Sequence, residues 1–260
     1  MSVTYPAADA ALLRDVEYGR AGDVSLRMDG ESPDGTGPFP AVILVHGGGW
    51  MRGDRTQSVQ PLFTPLLESG FAWFSISYRL VTDFMQVGTA VADVKAAVQH
   101  LRKFAARYNV DPDRIAVIGE SAGGHLASMA ALEEPALVAA VVAFYAPTDL
   151  CALVRSSANV PEQIREALRN SVLGPLLESH LSSLSPVDRV SQDAPPFLLI
   201  HGTADNVVPY TQSVEMQKRM TAAGTACELV TVSGGGHGIR PWESAMWKNQ
   251  MLDWLRKHLI

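Results

Sequence analysis

Residues Ala116 to Ala127 read AVIGESAGGHLA, an apolar strand that runs directly into a small-residue helix through Gly119-Glu120-Ser121-Ala122-Gly123. No other stretch constrains the fold as strongly. A strand that becomes a helix at a single residue forces that residue, Ser121, into strained backbone angles. Glycines on either side remove the clashes that such a turn would create. A serine hydroxyl is then held clear of a sheet, at the positive end of a helix where an oxyanion is stabilised. G-x-S-x-G alone recurs by chance, so its surroundings decide its meaning.

Those surroundings alternate strand and helix after Ala41, which predicts a mostly parallel sheet with helices on both faces. The pattern predicts strands at 41–45, 71–77, 114–118, 139–144, 197–201 and 227–232. Helices are predicted at 58–69, 88–107, 122–132, 210–223 and 242–258. The helix at 88–107 is the clearest, because Val91, Val94, Val98, Leu101 and Ala105 recur at three and four spacing. Asp111-Pro112-Asp113 reads as a turn ahead of the serine strand. Two earlier strands are predicted around Val16 to Tyr18 and Val24 to Met28. Thr148 to Ala194 breaks the rhythm, with a helix predicted near 161–170 and helical pieces near 174–182. Two readings of it stay open: a rim that shapes a pocket, or a solvated excursion.

Three more strand ends carry chemistry. The run Ala41 to Val45 empties into His46-Gly47-Gly48-Gly49-Trp50, a loop whose N–H groups no side chain blocks. Pro196 to Ile200 is followed by His201-Gly202-Thr203-Ala204-Asp205, which delivers an acid at a strand end. The strand Glu228 to Val232 leads into Ser233-Gly234-Gly235-Gly236-His237-Gly238. A serine hydroxyl needs a base within reach, and the base needs an orienter. Ser121, His237 and Asp205 supply these roles, with Glu120 and Asp149 as rivals for the acid.

In type, context and chain order these motifs resemble the α/β-hydrolase esterases of the HGGGW/GESAGG type. These include the hormone-sensitive-lipase-like carboxylesterases and the compact feruloyl and acetyl-xylan esterases. The resemblance covers roughly residues 13 to 258. It implies an eight-stranded α/β-hydrolase domain over 1–260, with 148–194 as an insertion at the active-site rim. It also implies an oxyanion hole built from the amides of Ala122, Gly48 and Gly49, with the Trp50 amide as a further candidate. Only 45 residues precede His46 and much of that stretch reads as strand, so no large cap is expected. The implied activity is hydrolysis of short-acyl or aryl esters, with acetyl or feruloyl groups on plant polysaccharide as candidates. An arylformamidase, a peptidase or a non-catalytic binding module remain the alternatives.

Other residues are weighed against packing roles. Trp50, Tyr78 and Trp242 sit near strand ends and are candidates for substrate contact or plain rim packing. His46 is expected to hold the glycine loop, His125 to be structural, and His201 to be core or to sit behind the acid. His100, His180 and His258 are expected at the surface, and Arg79 in a structural ion pair. Cys151 and Cys227 read as buried free thiols, and a disulfide between them is the lesser alternative. No zinc-type spacing occurs, and neither metal nor cofactor is expected. A net charge of −6 without a basic patch argues against nucleic acid. No apolar run is long enough to span a membrane. Met1 to Ala11 lacks the features of a signal peptide. A cytoplasmic monomer or homodimer is expected, or a secreted protein if a leader has been removed.

Overall fold

The computed structural model describes residues 12–156, 162–238 and 245–260. Eight strands form one sheet: β1 (Leu13–Ala21), β2 (Val24–Glu31), β3 (Phe39–Val45), β4 (Ala72–Ile76), β5 (Val110–Glu120), β6 (Ala140–Phe144), β7 (Phe197–Gly202) and β8 (Cys227–Val232). Their order is β1-β2-β4-β3-β5-β6-β7-β8, with β1, β2 and β4 paired antiparallel and every other neighbour parallel. The eight-stranded, mostly parallel sheet expected from the strand ends is therefore present.

Each central strand is apolar throughout because both sheet faces are covered. On β3, Ala41, Ile43 and Val45 face one core while Val42 and Leu44 face the other. Helices α2 (Val87–Lys103), α3 (Ala122–Glu133) and α7 (Thr211–Ala222) close the first core, through residues such as Val94, Leu126 and Met216. Helices α1 (Phe63–Glu68) and α8 (Ala245–Leu259) close the second, through Leu66, Trp247, Met251 and Trp254. Among the described residues, no helix is long and apolar enough to cross a membrane.

Several boundaries move for physical reasons. The helix expected over 58–69 is only Phe63–Glu68, after a 3-10 turn at Gln60–Leu62, because Pro61 lacks an N–H and restricts the residue before it. The 88–107 helix ends at Lys103, and Ala105–Tyr108 form a separate 3-10 turn that carries Tyr108 into the core. Asp111-Pro112-Asp113 does not precede β5 but lies within it. The strand absorbs it as an irregularity opposite Phe39 and Ala41, with the Asp113 N–H bonded to Asp111 Oδ1 at 2.9 Å. Among its described residues, the 148–194 segment holds three α-helices: α4 (Leu150–Ser156), α5 (Glu162–Asn170) and α6 (Gly174–Ser183). The first of these was not anticipated.

Arg79 pairs with buried Asp93 at 2.7 Å, and its N–H donates to the same carboxylate at 2.9 Å, tying the chain after β4 to α2. Both cysteines are free thiols, half-buried rather than fully buried. The three histidines expected at the surface are each half-buried: His100 bonds the Tyr108 hydroxyl at 2.9 Å, and the His258 ring lies 4.0 Å from that of Trp254.

Candidate active site

Every component of the site sits at the C-terminal end of a parallel strand, where loops converge. At the end of β5, Ser121 adopts φ 51° and ψ −120°, the strained turn that its sequence demands. Its N–H donates to the Phe144 carbonyl at 2.9 Å, and its carbonyl opens α3 by accepting from His125 N–H at 3.0 Å. The flanking glycines have no substitute. A Cβ on Gly119 would stand 2.2 Å from the Gly123 carbonyl oxygen, and one on Gly123 would stand 2.1 Å from that of Val45. G-x-S-x-G is thus a statement about backbone meeting backbone.

The base and acid arrive on two loops stitched together. The Ala204 N–H donates to the Gly235 carbonyl at 3.0 Å, and the Gly234 N–H donates to the Thr203 hydroxyl at 2.9 Å. The loops cross where a Cβ on Gly202 would come within 2.1 Å of the Gly235 oxygen. This crossing sets His237 Nε2 2.9 Å from Ser121 Oγ and His237 Nδ1 2.7 Å from Asp205 Oδ2. An ionised carboxylate only accepts, so Nδ1 carries the ring proton and Nε2 is left to accept from the serine hydroxyl.

The Asp205 side chain is fully buried and both its oxygens are engaged. Burial alone would raise its pKa. Hydrogen bonds from His201, His237 and the Val208 N–H outweigh that and hold the acid well below the usual carboxylate range. Its Oδ1 accepts from Val207 N–H and Val208 N–H, both at 2.9 Å, while Oδ2 faces His237 and, at 3.4 Å, His201 Nε2. His201 is itself held by Val208 O at 2.9 Å and Ser213 Oγ at 2.7 Å, so it stands behind the acid. The rival acids lie elsewhere. Asp149 caps α4 by accepting from Ala152 N–H at 2.8 Å, and Glu120 faces Gly47 and Tyr145.

The glycine loop lies beside the serine. Gly48 and Gly49 adopt φ of 121° and 61°, and both line the cleft. Ala122 begins α3, so its N–H has no intrahelical acceptor. His46 holds the loop as expected: its Nδ1–H donates to the Gly47 carbonyl at 2.7 Å, and burial pushes its pKa down, so the ring is neutral. A Cβ at Gly48 would overlap the Arg52 carbonyl, 2.0 Å away, in a backbone region that other residues avoid. Gly48→Ala is therefore expected to displace the loop and lower kcat by on the order of 10²–10³-fold, the cost of one lost oxyanion donor. Steady-state kinetics on a folded variant, verified by circular dichroism, checks this. A kcat within threefold of the parent would contradict it.

Two aromatic candidates do not reach the cleft. Tyr78 is buried, stacked on His46 at 4.3 Å, and its hydroxyl donates to the His46 carbonyl at 3.1 Å. The apolar ring and its one polar atom are both satisfied inside. Trp50 turns its indole inward to donate to His125 Nδ1 at 3.2 Å. His125 passes the tie on by donating Nε2–H to Leu184 O at 2.7 Å, and burial pushes its pKa down to about 4. Trp242 lies outside the described residues.

The cleft encloses about 520 Å³, and Ser121, His237, Arg52, Ser58, Glu120, Tyr145 and Val207 are among the residues that line it. Among the described residues, none of those lining it comes from 148–194. Sequence reasoning missed Tyr145, whose ring meets that of His237 at 4.6 Å and whose hydroxyl donates to Glu120. It also missed Glu120 as the acceptor for Gly47 N–H at 3.3 Å. The signal was available: Tyr145 directly follows β6, as Ser121 directly follows β5.

Known proteins share this fold and sequence. A carbohydrate esterase from gut microbiota, solved in truncated form, superposes with a TM-score of 0.78 at 27% identity and covers 98% of each chain. The butyrate-bound esterase 2 of Thermogutta terrifontis gives a TM-score of 0.72 at 26% identity, covering 97% of this chain and 93% of its own. Esterase LipC of Mycobacterium tuberculosis is 32% identical over 223 residues, covering 78% of this chain and 54% of its own. This chain spans about half the length of its mycobacterial relatives, between 48% and 54%. The BD-FAE family profile matches residues 30–220, a span that runs from β2 through the serine turn and the acid loop into α7. The chain is an α/β-hydrolase and belongs to the BD-FAE family.

Proposed function

We propose that this protein is a serine carboxylic-ester hydrolase working through an acyl-enzyme. The observation that carries the reading is the unbroken relay Ser121 Oγ, His237, Asp205, at 2.9 and 2.7 Å, beside a glycine loop with open amides. Ser121 attacks the ester carbonyl while His237 Nε2 takes its proton. Asp205 keeps the imidazole in the tautomer that can accept it. The N–H groups of Ala122 and of Gly48 or Gly49 stabilise the oxyanion. His237 returns the proton to the leaving alcohol, then activates the water that frees the acid. Each step uses only groups of this chain and water, so no cofactor is invoked.

Short acyl esters, including acetyl esters on a carbohydrate, are the proposed substrates. Among the described residues, the cleft is lined mainly by glycines, Ser58, Ser121, Arg52, Glu120 and His237, and its large apolar side chains are Tyr145 and Val207. A long alkyl chain gains about 0.8 kcal/mol per CH₂ only where it is fully buried. The similar gut carbohydrate esterase and the butyrate-bound Thermogutta esterase favour the same substrate class. A p-nitrophenyl ester series should therefore give a kcat/KM maximum between acetyl and butyryl, with a steep fall by octanoyl. Acetylated xylan, methyl ferulate and N-formylkynurenine assayed alongside separate a carbohydrate esterase from a feruloyl esterase and from a formamidase. A maximum at decanoyl would replace this proposal with a lipase.

A further inference from the structure

Among the described residues, the side chains lining the cleft that carry a charge or exchange a proton near neutral pH are Arg52, Glu120 and His237. Two of them are committed. Glu120 is only 8% exposed and accepts from Gly47 N–H and the Tyr145 hydroxyl. His237 is held between Ser121 and Asp205. Arg52 differs. It is exposed, and its stem lies along the glycine loop, with Cγ 3.3 Å from where a Cβ on Gly48 would stand. Among the described residues, no carboxylate, carbonyl or ring engages its guanidinium. Every other described arginine is held by at least one such group. Its neighbour Arg55 shows the contrast, bonded to Asp29 at 3.0 Å and to Asp15 at 2.7 Å.

A guanidinium stays charged at every working pH and offers a planar fork of donors that matches a carboxylate. In a chain of net charge −6, Arg52 puts a fixed positive charge on the wall of the cleft that holds the nucleophile, where it attracts an anionic group. We infer that Arg52 anchors an anionic group of the substrate, so that the preferred esters carry a carboxylate on the acyl or the alcohol part. This rests on the hydrolase reading above and adds the charge of the substrate to it.

Two matched pairs of esters test the inference. On the alcohol side, 4-acetoxybenzoate is compared with neutral 4-acetoxybenzamide; on the acyl side, monomethyl succinate is compared with methyl succinamate. The readout is the ratio of kcat/KM, anionic over neutral, in the parent, in Arg52→Gln and in Arg52→Lys. Comparing ratios across variants cancels intrinsic ester reactivity. In at least one pair, Arg52→Gln should lower the ratio by about tenfold or more, the scale of a lost charge-assisted hydrogen bond. Arg52→Lys should keep part of it, and the pair that responds tells which end of the substrate is held. High salt should compress the parent's ratio and leave that of Arg52→Gln unmoved. If Arg52→Gln fails to fold, the salt dependence of the parent and the Arg52→Lys ratio carry the test.

Ratios unchanged within twofold in both pairs would overturn the inference and make Arg52 a solvated wall residue. Equal losses on the anionic and neutral members would also overturn it, because they would make Arg52 a support of the glycine loop. A parent that cleaves no member of either pair defeats the hydrolase reading itself. A parent that cleaves the neutral esters with ratios indifferent to Arg52 defeats the anion anchor alone.

Discussion

Ser121→Ala is expected to lower kcat by on the order of 10⁵–10⁶-fold, the loss seen when one member of a serine triad is removed. The substitution deletes one oxygen whose partner is His237 Nε2 at 2.9 Å, and it leaves the backbone of the turn unchanged. The strain at φ 51° belongs to the backbone, held by Ser121 N–H on the Phe144 carbonyl and by glycines at 119 and 123. An alanine there suffers no more than the serine does. The variant should therefore fold with a Tm close to the parent's, and only chemistry should fail. A fluorophosphonate probe should label the parent at Ser121 and leave the variant unlabelled. Substantial activity in a purified variant free of contaminating esterase would sink the assignment.

Asp205→Asn should cost on the order of 10³–10⁴-fold in kcat, and the geometry shows why an almost isosteric change is so damaging. One carboxylate oxygen faces the N–H groups of Val207 and Val208, and the other faces the ring N–H groups of His237 and His201. An asparagine has a single acceptor oxygen. If it stays on the two backbone donors, its NH₂ confronts His237 Nδ1–H. The imidazole then moves its proton to Nε2, where it can no longer accept from Ser121. If the amide flips, the Val207 and Val208 N–H groups face an NH₂ instead and the acid loop loses both of the hydrogen bonds that hold it. Either way the base is misplaced or the loop destabilised. Asp149→Asn should cause no comparable loss, since Asp149 caps α4 away from the histidine.

The same network fixes the sign of a pH effect. The pKa of Asp205 is depressed on folding, so its ionised form stabilises the fold above the ordinary carboxylate range. That contribution is lost only as pH falls from the ordinary range through the depressed value. A fall of activity in mildly acidic solution cannot then be the protonation of Asp205. An acid limb in the pH profile should therefore persist in Asp205→Asn.

Much of this protein was legible in its sequence because the relevant constraints are local. Gly119 and Gly123 are dictated by a strand turning into a helix within one residue, and that turn was readable from AVIGESAGGHLA. The apolar runs of β3, β5, β6 and β7 announced strands covered on both faces, and the strand-end loops announced the serine, the acid and the histidine in order. Boundaries were less legible where local signals competed. Asp111-Pro112-Asp113 has the composition of a turn, yet pairing with β3 on one side carries the strand through it. The helix expected from 88 to 107 stops at Lys103, and the 3-10 turn that follows packs buried Tyr108 against Phe74 of β4, a contact far apart in sequence.

What the sequence determined by itself is the set of backbone conformations and chemical groups: a strained serine, an acid and a histidine on glycine loops, and an oxyanion loop free of side chains. Each follows from residues within a few positions of one another. Side-chain direction across the molecule was decided only by the tertiary structure. Tyr78 and Trp50 share strand-end positions with true lining residues. They turn inward because His46 and His125, distant in sequence, offer a stacking face and an acceptor for their polar atoms. Tyr145, itself buried, turns toward His237 and Glu120 by the same rule, since its hydroxyl finds its carboxylate there. Arg52 lines the cleft, and among the described residues no group engages its guanidinium, whereas nearby Arg55 is held by Asp15 and Asp29. A buried polar atom goes where its hydrogen bond is, and long-range contacts alone say where that is.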